Sequence, residues 1–268
     1  MMRGENSEGS AAAAPWTRRR LAAGGLVLAV LLGLSLWAAG RHAADARLMR
    51  SDPDAAIADR GLQRSGIAAG RHLFTARCAT CHGADARGGP SLAAPDLTDT
   101  DWLYGIGAVS ETEQTIAYGI RSHHPKGWNL ADMPAFARNQ PGSPYKIPPL
   151  TRGDIADVVA FLAQRRGDAY DPTAAARGQA IFSNRGGCYD CHGGDGGGDP
   201  AIGAPNLVDR IWLYGDGRPA SVAMSIAEGR HGVMPAFITR LSPVQIRQLA
   251  LYVHSLSKGP GPQSGARR

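Results

Sequence analysis

Cys78-Ala79-Thr80-Cys81-His82 and Cys188-Tyr189-Asp190-Cys191-His192 are two C-x-x-C-H pentads set 110 residues apart. This is the attachment signature of c-type haem. Thiols two residues apart reach one porphyrin edge and form thioethers there, and the histidine that follows is placed under the iron. The chain has 4 cysteines, and the pentads use all of them. An M-P-A-F tetrapeptide stands downstream of each pentad, beginning at Met133 and at Met234. Methionine sulfur opposite histidine nitrogen is the ligand pair of electron-carrying cytochromes, and it raises the reduction potential. The expected cofactors are two covalently bound haem c groups. Cys78 and Cys81 are expected to attach the first haem, with His82 and Met133 as its iron ligands, and Cys188 and Cys191 the second, with His192 and Met234.

Other uses of these residues fit less well. Zinc sites built from two C-x-x-C pairs place the pairs within about twenty residues of each other, far closer than here. A thioredoxin-like dithiol needs a βαβ setting that the sequence lacks. His123 and His124 precede Met133 and are the alternative distal ligands, although they read first as exposed loop residues before Pro125. His42, His72, His231 and His254 have weaker claims. Met224 lies within a predicted helix and reads as core.

The pentads belong to a longer internal repeat. At the same offset Pro95 matches Pro205, Leu97 matches Leu207, and Trp102-Leu103-Tyr104-Gly105 matches Trp212-Leu213-Tyr214-Gly215. Ile116 and Gly119 match Ile226 and Gly229. The tetrapeptides differ by 101 residues, so the first repeat carries nine extra residues between Gly119 and Met133. A second insertion, Ala137 to Pro149, is rich in proline.

Each repeat predicts the same helices. One enters the pentad (Ser65 to Arg77, Pro172 to Ser183), with Gly70 and Gly178 placed for a close helix crossing ahead of Phe74 and Phe182. A short helix follows (Ser110 to Ile120, Ala220 to Arg230), then the methionine loop and a closing helix (Arg152 to Arg165, Pro243 to Ser257). Ile155, Val158, Val159 and Leu162 line one face of the first closing helix at helical spacing. Ile246, Leu249, Ala250 and Val253 do so in the second. Each closing helix is expected to pack on the first helix of its own repeat. Trp102, Tyr104, Trp212 and Tyr214 are expected at the haem walls or as plain core, and Arg230 at a propionate or in solvent.

Leu21 to Gly40 carries 20 residues without a charge, about 30 Å as a helix, which matches a bilayer core. Arg18, Arg19 and Arg20 precede it, favouring an N-inside orientation. Read as an uncleaved anchor rather than a signal peptide, it puts the chain in the inner (cytoplasmic) membrane as a single-pass protein. The haem domains then lie in the periplasm, where such haems are attached. The net charge of +6 comes from 29 basic and 23 acidic residues without any aromatic-basic stripe, so no nucleic-acid partner is expected. A domain of about 90 residues has only a marginal core of its own, so each is expected to need haem to fold.

In the second repeat, Gly203-Ala204-Pro205-Asn206-Leu207, Ile211-Trp212-Leu213-Tyr214-Gly215, Gly229-Arg230 and Gly232-Val233-Met234-Pro235-Ala236 closely resemble the dihaem cytochrome c subunit (CcoP or FixP) of cbb3-type cytochrome oxidases. The first repeat is similar more loosely, through Ala94-Pro95-Asp96-Leu97, Trp102 to Gly105 and Met133-Pro134-Ala135. The resemblance covers residues 66 to 258. It implies an all-α chain, a transmembrane helix followed by two tandem class I cytochrome c-like haem domains. The expected layout is a cytoplasmic tail (1–20), anchor (21–40), spacer (41–64), first domain (65–167), second domain (172–258) and disordered tail (259–268). It also implies electron transfer to a haem-copper oxidase or another respiratory complex, with a soluble cytochrome c or a quinol-oxidising complex as donor. A dehydrogenase-bound cytochrome and a dihaem peroxidase are the alternative functions.

Pyridine haemochrome assay of the purified chain should return two covalent haems, and Cys78→Ser/Cys81→Ser should leave one. A single haem in the unsubstituted chain contradicts the repeat reading.

Overall fold

Four side chains start the main helices. Asp59 Oδ1 accepts from the Gly61 and Leu62 amides at 2.9 and 3.1 Å. Thr151, Asp171 and Ser242 cap the helices that follow them in the same way, satisfying amides that a helix start leaves open. Pro172 and Pro243 stand in the first turns, where a missing N–H costs nothing.

The computed structural model describes residues 15–88, 94–139 and 147–257, and the side chains from residue 23 on. The far N-terminal tail, the centre of the 137–149 insertion and the 259–268 tail lie outside the described residues. The helices are α1 (Pro15–Arg50), α2 (Arg60–Arg77), α3 (Ala79–His82), α4 (Val109–Tyr118), α5 (Arg152–Arg166), α6 (Pro172–Ser183), α7 (Tyr189–His192), α8 (Pro219–Glu228) and α9 (Pro243–Leu256). Among the described residues there are only isolated β-bridges and no strands. The chain divides into two compact units, one ending at Arg47 and one beginning at Leu48.

The first unit is the apolar helix. Ala23–Arg50 has a mean hydropathy of 2.0 over its most apolar window, none of which is buried. Leu26, Leu28, Leu31 and Leu36 are each more than half exposed. It is the one described helix long and apolar enough to cross a membrane, and a helix apolar all round needs a nonaqueous surrounding.

The second unit holds two hydrophobic cores, and neither belongs to one repeat. The first gathers Phe74 of α2, Val109 and Ile116 of α4, and Ile246, Leu249, Leu251 and Val253 of α9. The second gathers Ile155, Val158, Phe161 and Leu162 of α5, Ile181 and Phe182 of α6, and Val222 and Ile226 of α8. The expectation that each closing helix packs on its own repeat's first helix is therefore corrected. α2 pairs with α9, and α5 pairs with α6. The connection explains it. Only Gly167 to Asp171 separate α5 from α6, with Gly167 left-handed at φ 75°. So short a link makes consecutive helices antiparallel neighbours, and α2 is left to α9.

The glycines set both crossings. A Cβ at Gly70 would lie 2.1 Å from the Gln248 carbonyl oxygen, and one at Gly178 would lie 1.9 Å from that of Asp157. Arg177 reinforces the second crossing with a bidentate pair to Asp157 at 2.7 Å. Three smaller expectations also change. α2 begins at Arg60 rather than Ser65. The stretch read as spacer puts Leu48 and Ala56 into the first core, at 2 % and 1 % exposure. Met224, read as core, is 59 % exposed, because α8 buries Val222 and Ile226 instead.

Arg247 on α9 is buried and ion-paired with Glu113 of α4. Its Nη1 donates to the Leu48 and Ser51 carbonyls, both at 3.1 Å. Burial pushes the Glu113 carboxyl up, and the Arg247 hydrogen bond opposes that shift. Breaking one side of such a pair leaves a buried charge and two carbonyls unmet. Arg247→Met should therefore cost about 3 kcal/mol in chemical denaturation of the haem-loaded protein. A loss below about 1 kcal/mol contradicts this role.

Candidate haem sites

Each pentad folds as one helical turn. The His82 and Cys81 amides donate to the Cys78 carbonyl at 3.0 and 3.1 Å, and the second pentad repeats this with Cys188. The turn puts both cysteines and the histidine on one side. Gly83 and Gly193 stop it in left-handed geometry, at φ 78° and 72°.

Two cavities open against these turns. The first is lined by Phe74, Cys78, Cys81, His82, Trp102 and, from the far repeat, Met234. The second is lined by Phe182, Cys188, Cys191, His192, Trp212 and, again from the far repeat, Met133. The expected pairing of histidine and methionine within one repeat is not what the fold brings together. Met234 faces the cavity of His82, and Met133 faces that of His192.

Backbone pairing locks this crossing. Ile120 and Met234 exchange two hydrogen bonds, at 2.9 and 3.0 Å, and Met133 and Arg230 exchange two more, at 3.1 and 3.0 Å. The loops then run along the ends of the opposite short helices. The Phe136 amide donates to the Ile226 carbonyl at 3.1 Å, and Phe237 donates to Ile116 at 3.2 Å. Gly119 and Gly229 admit this approach. They have φ of 75° and 71°, and an added Cβ would fall 2.3 Å from the Met234 oxygen or 2.5 Å from the Met133 oxygen.

The histidines are held from behind. His192 Nδ1 lies 2.9 Å from the Pro205 carbonyl oxygen, so as donor it leaves Nε2 for a metal. His82 Nδ1 is buried and faces Pro95, but makes no hydrogen bond of good geometry. Burial pushes both imidazoles below the usual histidine range, against the pull of these carbonyls. Burial also pushes the Cys78 and Cys188 thiols up to about 11, which keeps the free thiols protonated.

These residues fit a covalently attached haem c in each cavity. Thiols and an imidazole form one wall, a thioether sulfur faces it, and the sides are apolar. Buried donors without a protein partner also fit its carboxylates: Trp102 Nε1 at the first cavity and Arg230 Nε at the second. Arg230 otherwise lies over the Tyr214 ring at 4.6 Å and donates to Ser225 Oγ at 2.8 Å. Asp99 and Asp101 line the first cavity. Burial, then Asp209 and Asp99, push Asp101 up to about 6.

His123 and His124 line neither cavity. His124 stacks on Tyr118 at 4.8 Å, and its Nδ1 accepts from the Lys126 amide at 3.1 Å. The nine-residue insertion is instead pinned by Trp128, whose Nε1 donates to Thr115 Oγ1 at 2.9 Å and whose ring stacks on Tyr104 at 5.0 Å. Leu103, Arg121, Leu213 and Tyr214 line both cavities and so lie between them. Of these, the sequence placed only Tyr214 at a haem wall, with Leu103 and Leu213 noted just as members of the repeated motif. Arg121 carried one available signal: the repeat breaks there, with His231 at its matching position.

Comparison with known proteins agrees with this architecture. The family model for cytochrome c matches residues 67–166, and the one for cbb3-type cytochrome c oxidase subunit III matches 173–253. The FixP subunit of Bradyrhizobium sp. (strain ORS 278) is 42 % identical over 192 residues, covering 72 % of this chain and 61 % of the relative. FixP of Azorhizobium caulinodans is 42 % identical over 193 residues, covering 72 % and 60 %. The CcoP subunit of Cereibacter sphaeroides is 36 % identical over 213 residues, covering 80 % and 69 %. The chain thus spans 61 % of the length of the first of these relatives. Two cytochrome c domains imply two covalently bound haem c groups. With both repeats matched and two thirds of a curated relative covered, the chain belongs to the family of the dihaem subunit III, CcoP or FixP, of cbb3-type cytochrome c oxidases.

Proposed function

We propose that this chain is a membrane-anchored dihaem electron carrier that passes single electrons to the haem-copper core of a cbb3-type oxidase, with its haem domains in the periplasm. The cysteines of one repeat would attach each haem, and the methionine of the other repeat would hold its iron. The observation that carries this reading is the composition of the two cavities: His82 with Met234, and His192 with Met133.

Haem c, when bound, supplies a reversible one-electron couple at iron. The chain's own residues decide how it is held. His192 is aimed by the Pro205 carbonyl. The methionine loops are fixed by paired backbone hydrogen bonds on one side and by Pro134 and Pro235 on the other. Loops held this firmly would keep each methionine sulfur at its iron against exogenous ligands, which favours a carrier over a peroxidase. Trp102 Nε1 and Arg230 Nε are the unmet donors suited to carboxylates. The stretches 65–167 and 172–258 are thus two haem-binding domains that exchange their methionine segments and closing helices. The arginines before the anchor, and haem attachment outside the cytoplasmic membrane, support the periplasmic placement. The names of the relatives support the oxidase as partner.

In a Cys78→Ser/Cys81→Ser background only the second haem remains. Met133→Ala should then abolish the Fe–S(Met) charge-transfer band, and Met234→Ala should leave it. The opposite result places ligation within each repeat. In the chain with both haems, each substitution should remove one of two bands, which guards against a background that fails to fold. Isolated from native membranes, the chain should co-purify with a haem-copper oxidase core; co-purification with a dehydrogenase instead would change the assigned partner.

A further inference from the structure

Arg121 makes contacts that no other described side chain makes. Its Nε donates to the Gly232 carbonyl at 2.7 Å, and its Nη1 donates to the Ala131 carbonyl at 2.9 Å. Ala131 stands two residues before Met133, and Gly232 stands two residues before Met234. One guanidinium therefore grips the same carbonyl in each methionine loop. Nη1 also reaches the Tyr104 hydroxyl at 3.3 Å. Tyr104 is buried, stacked on Trp128, and so close to Gly203 that a Cβ there would fall 2.1 Å from its ring. Arg121 itself is held left-handed at φ 48°, a conformation that non-glycine residues keep only when their surroundings impose it. Its backbone amide donates to the Trp128 carbonyl at 2.8 Å.

The repeat does not duplicate this arrangement. At the matching position stands His231, exposed and paired with Asp132 at 3.0 Å. Among the described residues Arg121 has no ion pair, so its fixed positive charge sits between the cavities against neutral partners. The planar guanidinium fork holds separate N–H donors in fixed directions toward the two carbonyls, which a lysine ammonium on its flexible stem does not.

We infer that Arg121 is a positioning residue shared by both haem sites, which clamps the two distal methionine loops together and couples the hold of one methionine on its iron to that of the other. The inference rests on Met133 and Met234 being the distal ligands, and it holds whichever iron each one serves. A carbonyl freed in each loop loosens both sulfurs, so an exogenous ligand competes better at both irons. Arg240 is the one-sided comparison. It lines the first cavity only, and its Nη2 donates to the Ala236 carbonyl at 3.2 Å, in the Met234 loop alone.

The test uses the full chain with both haems, titrated with imidazole while the Fe–S(Met) charge-transfer bands and the two reduction potentials are followed. Two bands in the unsubstituted chain establish methionine ligation; their absence would overturn the ligand reading and this inference with it. Given both bands, Arg121→Met should retain two covalent haems and tighten imidazole binding about tenfold at each, equivalent to about 1.4 kcal/mol of lost methionine preference. Both potentials should fall. Arg121→Lys, which keeps the charge but cannot fork, should loosen one site and spare the other. Arg240→Met should change the Met234 site alone. If Arg121→Met leaves both titrations unchanged, or changes one only, the shared role is wrong. If Arg121→Met fails to fold, the lysine variant decides: unchanged titration at both irons overturns the inference.

Discussion

The structure depends on a reciprocal exchange between its two repeats. Ile120 with Met234, and Met133 with Arg230, pair backbone to backbone across the pseudo-symmetric centre. Four hydrogen bonds there fix where both sulfurs lie. Each is individually modest, about 1 kcal/mol net. Their force lies in geometry, since a loop paired along its backbone cannot slide without breaking several at once. Gly119 and Gly229 make the pairing possible, because a side chain at either position would collide with the opposite methionine's carbonyl.

The exchange builds both haem cavities from both repeats. Neither core can close from a single repeat: α2 needs α9 from the far end of the chain, and α8 needs α5. The first core also takes in Leu48 and Ala56, and Arg247 ties α9 to the carbonyls of Leu48 and Ser51. So the last helix is joined to the segment that follows the apolar stretch. A chain built this way forms long-range contacts before either site is complete, which favours slow and concerted folding.

Much of this was legible in the sequence. The pentads, the methionine tetrapeptides, the helices and their buried stripes are local patterns, and local patterns survive any rearrangement of partners. Gly70 and Gly178 announced close helix crossings correctly. What the sequence concealed was which repeat supplies each partner. Two similar repeats offer similar faces, so α5 suits α2 and α6 almost equally by composition. The choice was settled by chain length, through the few residues from Gly167 to Asp171 that force α5 and α6 into a hairpin. Arg121 was missed for the opposite reason. It breaks the repeat, and a search for likeness passes over the position that differs.

The most direct test of the account is a crystal structure of the haem-loaded chain at a resolution that shows the iron–sulfur bonds. It should place the Met234 sulfur opposite His82, on the haem joined to Cys78 and Cys81, and the Met133 sulfur opposite His192. Met133 bound above His82 and Met234 above His192 would contradict it.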